Sequence, residues 1–145
     1  RTSWLIGDGR NFVRTMMGLA HRNISPTVVS DHIGRLTFTK TLVTAIDHLL
    51  TNQAAPGLYN VSNDGEPASW ADITRLIFSE MKRDDLTVTK TTTTEYYASK
   101  EGIAPRPLQS TLDLDKIKAT GLQLTNWRQD LHDYIQTELA NQAKG

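Results

Sequence analysis

The sequence opens with Arg1-Thr2-Ser3-Trp4-Leu5-Ile6-Gly7 and soon continues with Asn11-Phe12-Val13-Arg14-Thr15-Met16-Met17-Gly18-Leu19-Ala20. The apolar run before Gly7 predicts a short buried strand, and the glycines at 7 and 9 allow a tight turn after it. From residue 12 onward the apolar residues recur at helical spacing, which predicts an amphipathic helix and an α/β fold. Because the chain begins inside this unit and without methionine, we expect it to be a piece of a longer protein.

The composition is that of one ordinary domain. The chain has 145 residues, with 16 Lys plus Arg, 16 Asp plus Glu and a formal net charge of zero. Nucleic-acid-binding proteins usually carry a basic excess or a basic face, and neither is present here. The lack of cysteine excludes disulfides, thiolate nucleophiles and cysteine zinc sites. No apolar run approaches the roughly 20 residues that span a membrane, so we expect a soluble, cytoplasmic α/β domain covering residues 1–145.

Local patterns give an order of strand, helix, strand, helix, strand, helix, strand, helix, helix. The predicted strands are 5–6, 27–29, 57–62 and 86–94; the predicted helices are 12–20, 40–50, 70–81, 113–119 and 127–139; residues 96–109 are predicted to be loop. Thr39, Ser69 and Asn126 are the predicted capping residues of three of these helices, because their side-chain oxygens can accept from backbone amides of the first turn.

Six short stretches form a set that is more specific than any one of them. They are Arg1-Thr2-Ser3-Trp4, Asn11-Phe12-Val13 with Thr15-Met16, Asp31 with Gly34 and Thr37, Gly57-Leu58-Tyr59, Ser69-Trp70, and Arg106-Pro107 with Ser110 and Leu112-Asp113. In this order they resemble the C-terminal part of the dTDP-4-dehydrorhamnose reductases, which belong to the extended short-chain dehydrogenase/reductase superfamily. The resemblance covers essentially the whole chain and implies the C-terminal lobe of a Rossmann-like fold, with mixed short strands and helices.

Three positions depart from that family pattern. Ile6 stands where the family commonly has tyrosine, His32 where it has glutamine, and Leu36 where it has proline; residues 97–104 are also irregular. These departures leave the superfamily unchanged and the precise sugar substrate open.

The resemblance implies that half of the enzyme is missing. Family members bind NADPH or NADH mainly on an N-terminal doubly wound sheet and protonate the sugar oxygen with the tyrosine of a Tyr-x-x-x-Lys pair. Both features lie upstream of the strand that opens this chain. The implied parent reduces dTDP-4-dehydro-L-rhamnose to dTDP-L-rhamnose, and this chain is its substrate-binding lobe, inactive alone. The implied partners are a dTDP-sugar and the protein's own N-terminal domain, with a homodimer left open.

One sequence segment has the same residue types and spacing as the catalytic pair. Tyr96-Tyr97-Ala98-Ser99-Lys100 reads Tyr-x-x-x-Lys, but the pair needs a helix to bring positions i and i+4 onto one face. This copy lies in a segment that runs into glycine and proline, far along the chain from the family's position. We therefore interpret it as a coincidence and predict no catalytic and no cofactor-binding residue in the chain.

Four residues are predicted to contact the nucleotide sugar. Trp4 could wall a sugar pocket or be a core tryptophan. Asn11 and Phe12 open a helix, where amides favour phosphate, although Asn11 could simply be an N-cap. Arg106, held between two prolines, suits bidentate phosphate contact, the alternative being a solvated arginine. The resemblance implies a substrate-lining position for Trp4 and a diphosphate contact for Arg106; for Trp4 and Asn11 both interpretations stay open.

The remaining candidates are predicted to be structural. Asp31 is expected to order the loop at residues 30–37, and Trp70 and Trp127 to pack beneath their helices. Asp113 and Asp115 are expected to oppose a helix dipole. The histidines show no metal-ligand spacing and are expected on the surface or on helix faces, and no metal site is predicted. They are His21, His32, His48 and His132.

Two other functions stay open at this point. The parent could be an epimerase or dehydratase acting on a UDP- or GDP-sugar, which competition among dTDP, UDP and GDP would separate. From another class, the same lobe occurs in a non-catalytic regulatory subunit of methionine adenosyltransferase, where it serves protein association. In that case the upstream segment should lack an intact Tyr-x-x-x-Lys pair.

Overall fold

A computed structural model describes residues 1–98, 102 and 104–143. The helices are α1 (Phe12–His21), α2 (Thr39–Thr51), α3 (Trp70–Glu80), α4 (Thr93–Tyr97), α5 (Asp115–Lys118) and α6 (Trp127–Gln142). The strands are β1 (Leu5–Ile6), β2 (Thr27–Val29), β3 (Ile33–Gly34), β4 (Thr37–Phe38), β5 (Ala68–Ser69) and β6 (Thr89–Thr91). No helix among these described residues is long and apolar enough to cross a membrane.

The strands form three two-stranded sheets. β1 pairs with β4 and β2 with β6, both in parallel, while β3 and β5 are antiparallel. An isolated parallel bridge also joins Ile33 to Gln109, so β3 contacts the segment that follows Arg106. The predicted mixed α/β class is therefore confirmed. The strands are short and pair in twos rather than forming one large sheet.

The three capping predictions had different outcomes. Ser69 Oγ accepts from Asp72 N at 3.1 Å, and Asn126 Oδ1 accepts from Arg128 N at 2.9 Å, so these two caps are confirmed. The Thr39 cap is wrong: Phe38 occupies the cap position of α2 without a side-chain bond, and Thr39 is the first helical residue.

Other differences concern the strands. Residues 57–62, predicted as a strand, are irregular: their backbone bonds to the chain start are Arg1 N to Tyr59 O, at 2.7 Å, and Val61 N to Arg1 O, at 2.8 Å. The predicted strand at 86–94 is limited to β6, and Tyr96 and Tyr97, predicted in a loop, belong to α4. The strands β3, β4 and β5 were not predicted, since two-residue strands leave no periodicity to read.

Two hydrophobic clusters support the fold. The larger joins α1, α3 and α6 with the strands and includes the fully buried ring of Trp127, which was predicted to pack beneath its helix. The smaller lies between α2 and α5 and includes Ala45, Val61 and Ile117. This arrangement leaves the first residues of α1 and α3 side by side at one edge of the larger cluster.

A buried polar network, here called the polar junction, ties α6 to α2. Asp130 is 2% exposed, and its carboxylate accepts from Asn63 Nδ2 at 2.6 Å and from Thr125 Oγ1 at 2.8 Å. Lys40 Nζ lies 2.8 Å from the same carboxylate, and Thr41 Oγ1 lies 3.3 Å from it. Because every oxygen of this carboxylate has a partner, its burial is compensated.

Candidate functional site

A cavity of about 550 Å³ opens between the start of α1, β2 and the segment around Arg106. This size lies within the range of small-molecule sites, roughly 300–1,000 Å³. Four aromatic and two basic side chains are among its lining: Phe12, Trp70, Tyr96, Tyr97, His32 and Arg106. None of the described residues in the lining carries a carboxylate, so the positive charge of Arg106 has no acidic partner in that lining.

The aromatic wall is built by two helix starts. Phe12 and Trp70 are the first residues of α1 and α3, and their ring centroids lie 4.2 Å apart. Trp4 stacks behind Trp70 with a centroid distance of 3.8 Å and an interplanar angle of 23°. Gly34 backs Trp4 so closely that a Cβ atom there would lie 3.0 Å from the indole ring. Trp4 therefore supports the wall from behind and is not among the lining residues.

Arg106 supplies the basic end of the cavity. Its side chain is exposed and makes no hydrogen bond or ion pair with any described residue, and Pro105 and Pro107 restrict the backbone around it. The segment after it is fixed to β3, because Ile33 N donates to Leu108 O at 2.7 Å and Ser110 N donates to Ile33 O at 2.8 Å. A guanidinium held in this way suits an anionic ligand.

His32 lies next to that backbone connection. The prediction of a surface or helix-face position is wrong for this histidine: its side chain is 5% exposed and lines the cavity. Its Nε2 atom has no hydrogen-bond partner among the described residues. A lone histidine gives no spacing signal, and the only sequence hint was its departure from the family's glutamine.

Asp31 binds a segment that is more distant in the sequence than the loop it was predicted to order. Its carboxylate accepts from the backbone amide of Thr93, at 2.9 and 3.1 Å, and from the Thr93 hydroxyl at 2.7 Å. Burial raises the pKa of Asp31, but the bonds from Thr93 outweigh burial and hold that pKa below its ordinary value. Asp31 thus fixes the start of α4, the helix that carries Tyr96 and Tyr97 to the cavity.

Asn11 lies outside the described lining of the cavity. Its Oδ1 accepts from Arg14 N at 3.0 Å as the N-cap of α1, and its Nδ2 donates to Gly7 O at 2.8 Å and to Tyr134 Oη at 2.9 Å. These bonds are those of the alternative interpretation, a simple cap. Ligand contact by Asn11 stays a prediction.

The turn between β1 and α1 is tied to α6, because Gly7 O accepts from Tyr134 Oη at 3.0 Å. The absence of cofactor-binding residues from the chain stays a prediction. In the described part of the chain, no three His, Asp or Glu side chains cluster as metal ligands would. Tyr96 lines the cavity, whereas Lys100 of the Tyr-x-x-x-Lys string lies outside the described residues, so the interpretation as a coincidence stays a prediction.

Comparison with known proteins places this geometry in a family. Residues 1–140 match the model of the RmlD substrate binding domain. The chain belongs to the RmlD substrate-binding domain family. It is 39% identical to the spore coat polysaccharide biosynthesis protein SpsK of Bacillus subtilis over 137 residues, which are 94% of this chain and 46% of SpsK.

Solved structures agree with this family. The chain resembles a dTDP-4-dehydrorhamnose reductase of Clostridium acetobutylicum with a TM-score of 0.85 and 31% identity, covering 96% of this chain and 48% of that one. It resembles the dTDP-4-dehydrorhamnose reductase of Bacillus anthracis, solved in complex with NADP, with a TM-score of 0.80 and 32% identity, covering 95% and 47%. The chain thus spans about half the length of the relatives that it matches, and the fold inferred from the resemblance is confirmed.

Proposed function

We propose that this RmlD-family chain, residues 1–145, is the substrate-binding lobe of a dTDP-4-dehydrorhamnose reductase. The complete protein would transfer hydride from NADPH or NADH to C4 of dTDP-4-dehydro-L-rhamnose, giving dTDP-L-rhamnose. The observation that carries the proposal is the cavity itself, where the aromatic wall of Phe12 and Trp70 and the guanidinium of Arg106 line one space. A nucleotide sugar has the matching parts, namely planar or apolar ring faces and a diphosphate.

Each of these residues has a distinct role in the proposal. Phe12 and Trp70 offer ring faces on which the thymine or the sugar packs. Arg106 pairs with the diphosphate through two N–H donors, an arrangement that lysine could not reproduce. Trp4 keeps Trp70 in place through the 3.8 Å stack. Asn11 fixes the start of α1 and thereby the position of Phe12.

The chain's own residues bind and orient the substrate but supply no acid, base or hydride. NADPH or NADH would be held mainly by an N-terminal domain, in keeping with the similarity to reductases about twice as long as this chain. That domain is also the partner we propose for one exposed apolar face of α2. Val43 is 64% exposed, Ile46 51% and Leu50 74%, and their spacing places them on the same side of the helix.

The test is the loss of NADPH absorbance with dTDP-4-dehydrorhamnose as substrate. We expect turnover by the complete protein, in which this chain follows its N-terminal domain, and none by the chain alone. Turnover by the chain alone, or an inactive complete protein, would overturn the proposal. Competition among dTDP, UDP and GDP separates the proposal from an epimerase or dehydratase, and size measurement of the complete protein separates a homodimer from a monomer.

A further inference from the structure

His32 lies between two of the segments that surround the cavity. The residue before it, Asp31, binds the start of α4 through Thr93, and the residue after it, Ile33, binds the segment that follows Arg106. Both contacts are backbone or carboxylate hydrogen bonds of 2.7–3.1 Å. His32 is therefore held between the two segments that bring tyrosine rings and a guanidinium to the cavity.

The unpartnered Nε2 atom of His32 needs an explanation. A buried polar atom without a hydrogen bond costs about 1–3 kcal/mol, so native structures contain few of them. Buried polar side chains elsewhere in the described chain, such as those of Asn63, Ser69 and Asp130, have partners. Among side chains of the described residues, Nε of Arg35 is the one other such atom, and that guanidinium still donates to Leu112 O through Nη1.

The position of His32 indicates which part of a ligand it meets. The parallel bridge between Ile33 and Gln109 places His32 alongside the segment that begins at Arg106. The two basic side chains of the cavity therefore come from neighbouring, paired segments, whereas Phe12 and Trp70 come from the starts of two helices. An anionic group bound by Arg106 is the ligand part that this side of the cavity would hold.

We propose that His32 is a ligand-contacting and affinity-determining residue whose Nε2 hydrogen-bonds the diphosphate held by Arg106. The inference rests on the proposed function, since it takes a pyrimidine nucleoside diphosphate as the ligand. Nε2 exposes almost no surface in the ligand-free protein, so the proposal requires the imidazole to rotate toward the cavity on binding. Such side-chain rotations are common on binding. Glutamine in the same place has an amide that could donate in the same direction.

The experiment uses calorimetric titration with dTDP and with thymidine, which lacks the phosphates. His32→Leu should weaken dTDP binding about tenfold or more, because it removes a hydrogen bond to a charged group, and should leave thymidine binding unchanged. His32→Gln should keep dTDP binding within about threefold of the original protein. His21→Leu, at the exposed end of α1, is the matched control and should change neither.

Thermal unfolding of the same variants separates ligand contact from a packing role. Because Nε2 has no partner in the ligand-free protein, His32→Leu should unfold at the same temperature or a higher one. Unchanged dTDP affinity in His32→Leu, or equal losses for dTDP and thymidine, would overturn the inference while leaving the proposed function standing. An original protein that does not bind dTDP would overturn both.

Discussion

The polar junction and the cavity are two regions where polar groups meet the hydrophobic core, and they treat those groups in opposite ways. At the junction, Asp130 is 2% exposed and its carboxylate has protein partners on both oxygens. At the cavity, Arg106 makes no polar contact with a described residue and His32 has an unpartnered nitrogen. Polar groups at the junction have hydrogen-bond partners within the protein, whereas those at the cavity are available to a ligand.

The presence or absence of protein partners for polar groups distinguishes structural residues from ligand-binding residues. A fully paired buried network contributes to the stability of the fold, and breaking it destabilises the protein. Basic groups beside an aromatic wall, with no carboxylate among the described lining residues, contribute little to that stability and much to the affinity for an anion. Substitutions at the junction should therefore lower the unfolding temperature, and substitutions at the basic end should lower ligand affinity.

The largest effect is expected at the junction. Asp130→Ala should lower the free energy of unfolding by about 3 kcal/mol, because it removes an acceptor from the buried amide of Asn63 and from Thr125. The ion pair of Asp130 with Lys40 is partly screened, since Lys40 is 58% exposed. The measurement is urea unfolding. Asp133→Ala, exposed on the same helix, is the control, and equal losses in the two variants would contradict the distinction.

The second prediction concerns the support of the aromatic wall. Gly34→Ala should destabilise the fold by about 1–2 kcal/mol, because the new methyl group would lie 3.0 Å from the Trp4 ring, which is stacked on Trp70 and has little room to move. It should also weaken dTDP binding by displacing the wall.

The matched control is expected to change the stability of the fold in the opposite direction. A Cβ atom at Gly18, inside α1, would meet no atom within 4 Å, so Gly18→Ala should stabilise the fold by about 1 kcal/mol through helix propensity. Thermal unfolding measures both variants. If Gly34→Ala proved as stable as the original protein, the stack of Trp4 on Trp70 would not be the rigid support inferred here.

The smallest effect is a pH dependence at the junction. Burial raises the pKa of Asp130, but hydrogen bonds from Lys40, Thr125 and Asn63 outweigh burial and hold that pKa below its ordinary value of 3.8. Since the folded-state pKa lies below the unfolded one, the ionised carboxylate stabilises the fold above about pH 4, and this contribution is lost as the pH falls through the folded pKa.

Asp130→Asn removes this contribution and provides the test. The difference in unfolding temperature between the original protein and Asp130→Asn should be largest near pH 7 and should shrink as the pH is lowered from about 5 toward 2. Thermal unfolding followed by circular dichroism across this range measures it. A difference that stays constant with pH would mean that the hydrogen bonds at Asp130 do not depend on its charge.

The sequence predicted most of the helices because their starts carry local signals. Ser69 and Asn126 accept from amides two or three residues ahead, which is a contact within one turn. The strands β3, β4 and β5 could not be predicted, since each has two residues and depends on a partner distant in the chain. Thr39 failed as a cap because Phe38, at the end of β4, already takes that position.

The site was predictable only in part, because local sequence patterns do not reveal contacts between distant segments. Phe12 and Arg106 were singled out from the sequence, and the structure brings both to one cavity. Trp70 packs against the larger hydrophobic cluster as expected, but its ring also lines the cavity. The sequence did not reveal this second role, because the stacking partner Trp4 lies 66 positions earlier. His32 was missed because its burial depends on contacts of its neighbours with Thr93 and Leu108, which no local pattern reveals.

The most direct test of the central claim is calorimetric titration of the chain with dTDP. We expect the original protein to bind dTDP and Arg106→Gln to bind it at least about tenfold more weakly, with an unchanged unfolding temperature. Arg10→Gln, which removes an exposed arginine outside the cavity lining, should bind like the original protein. Equal affinity in all three proteins, or no binding by the original protein, would contradict the claim that this cavity holds the nucleotide.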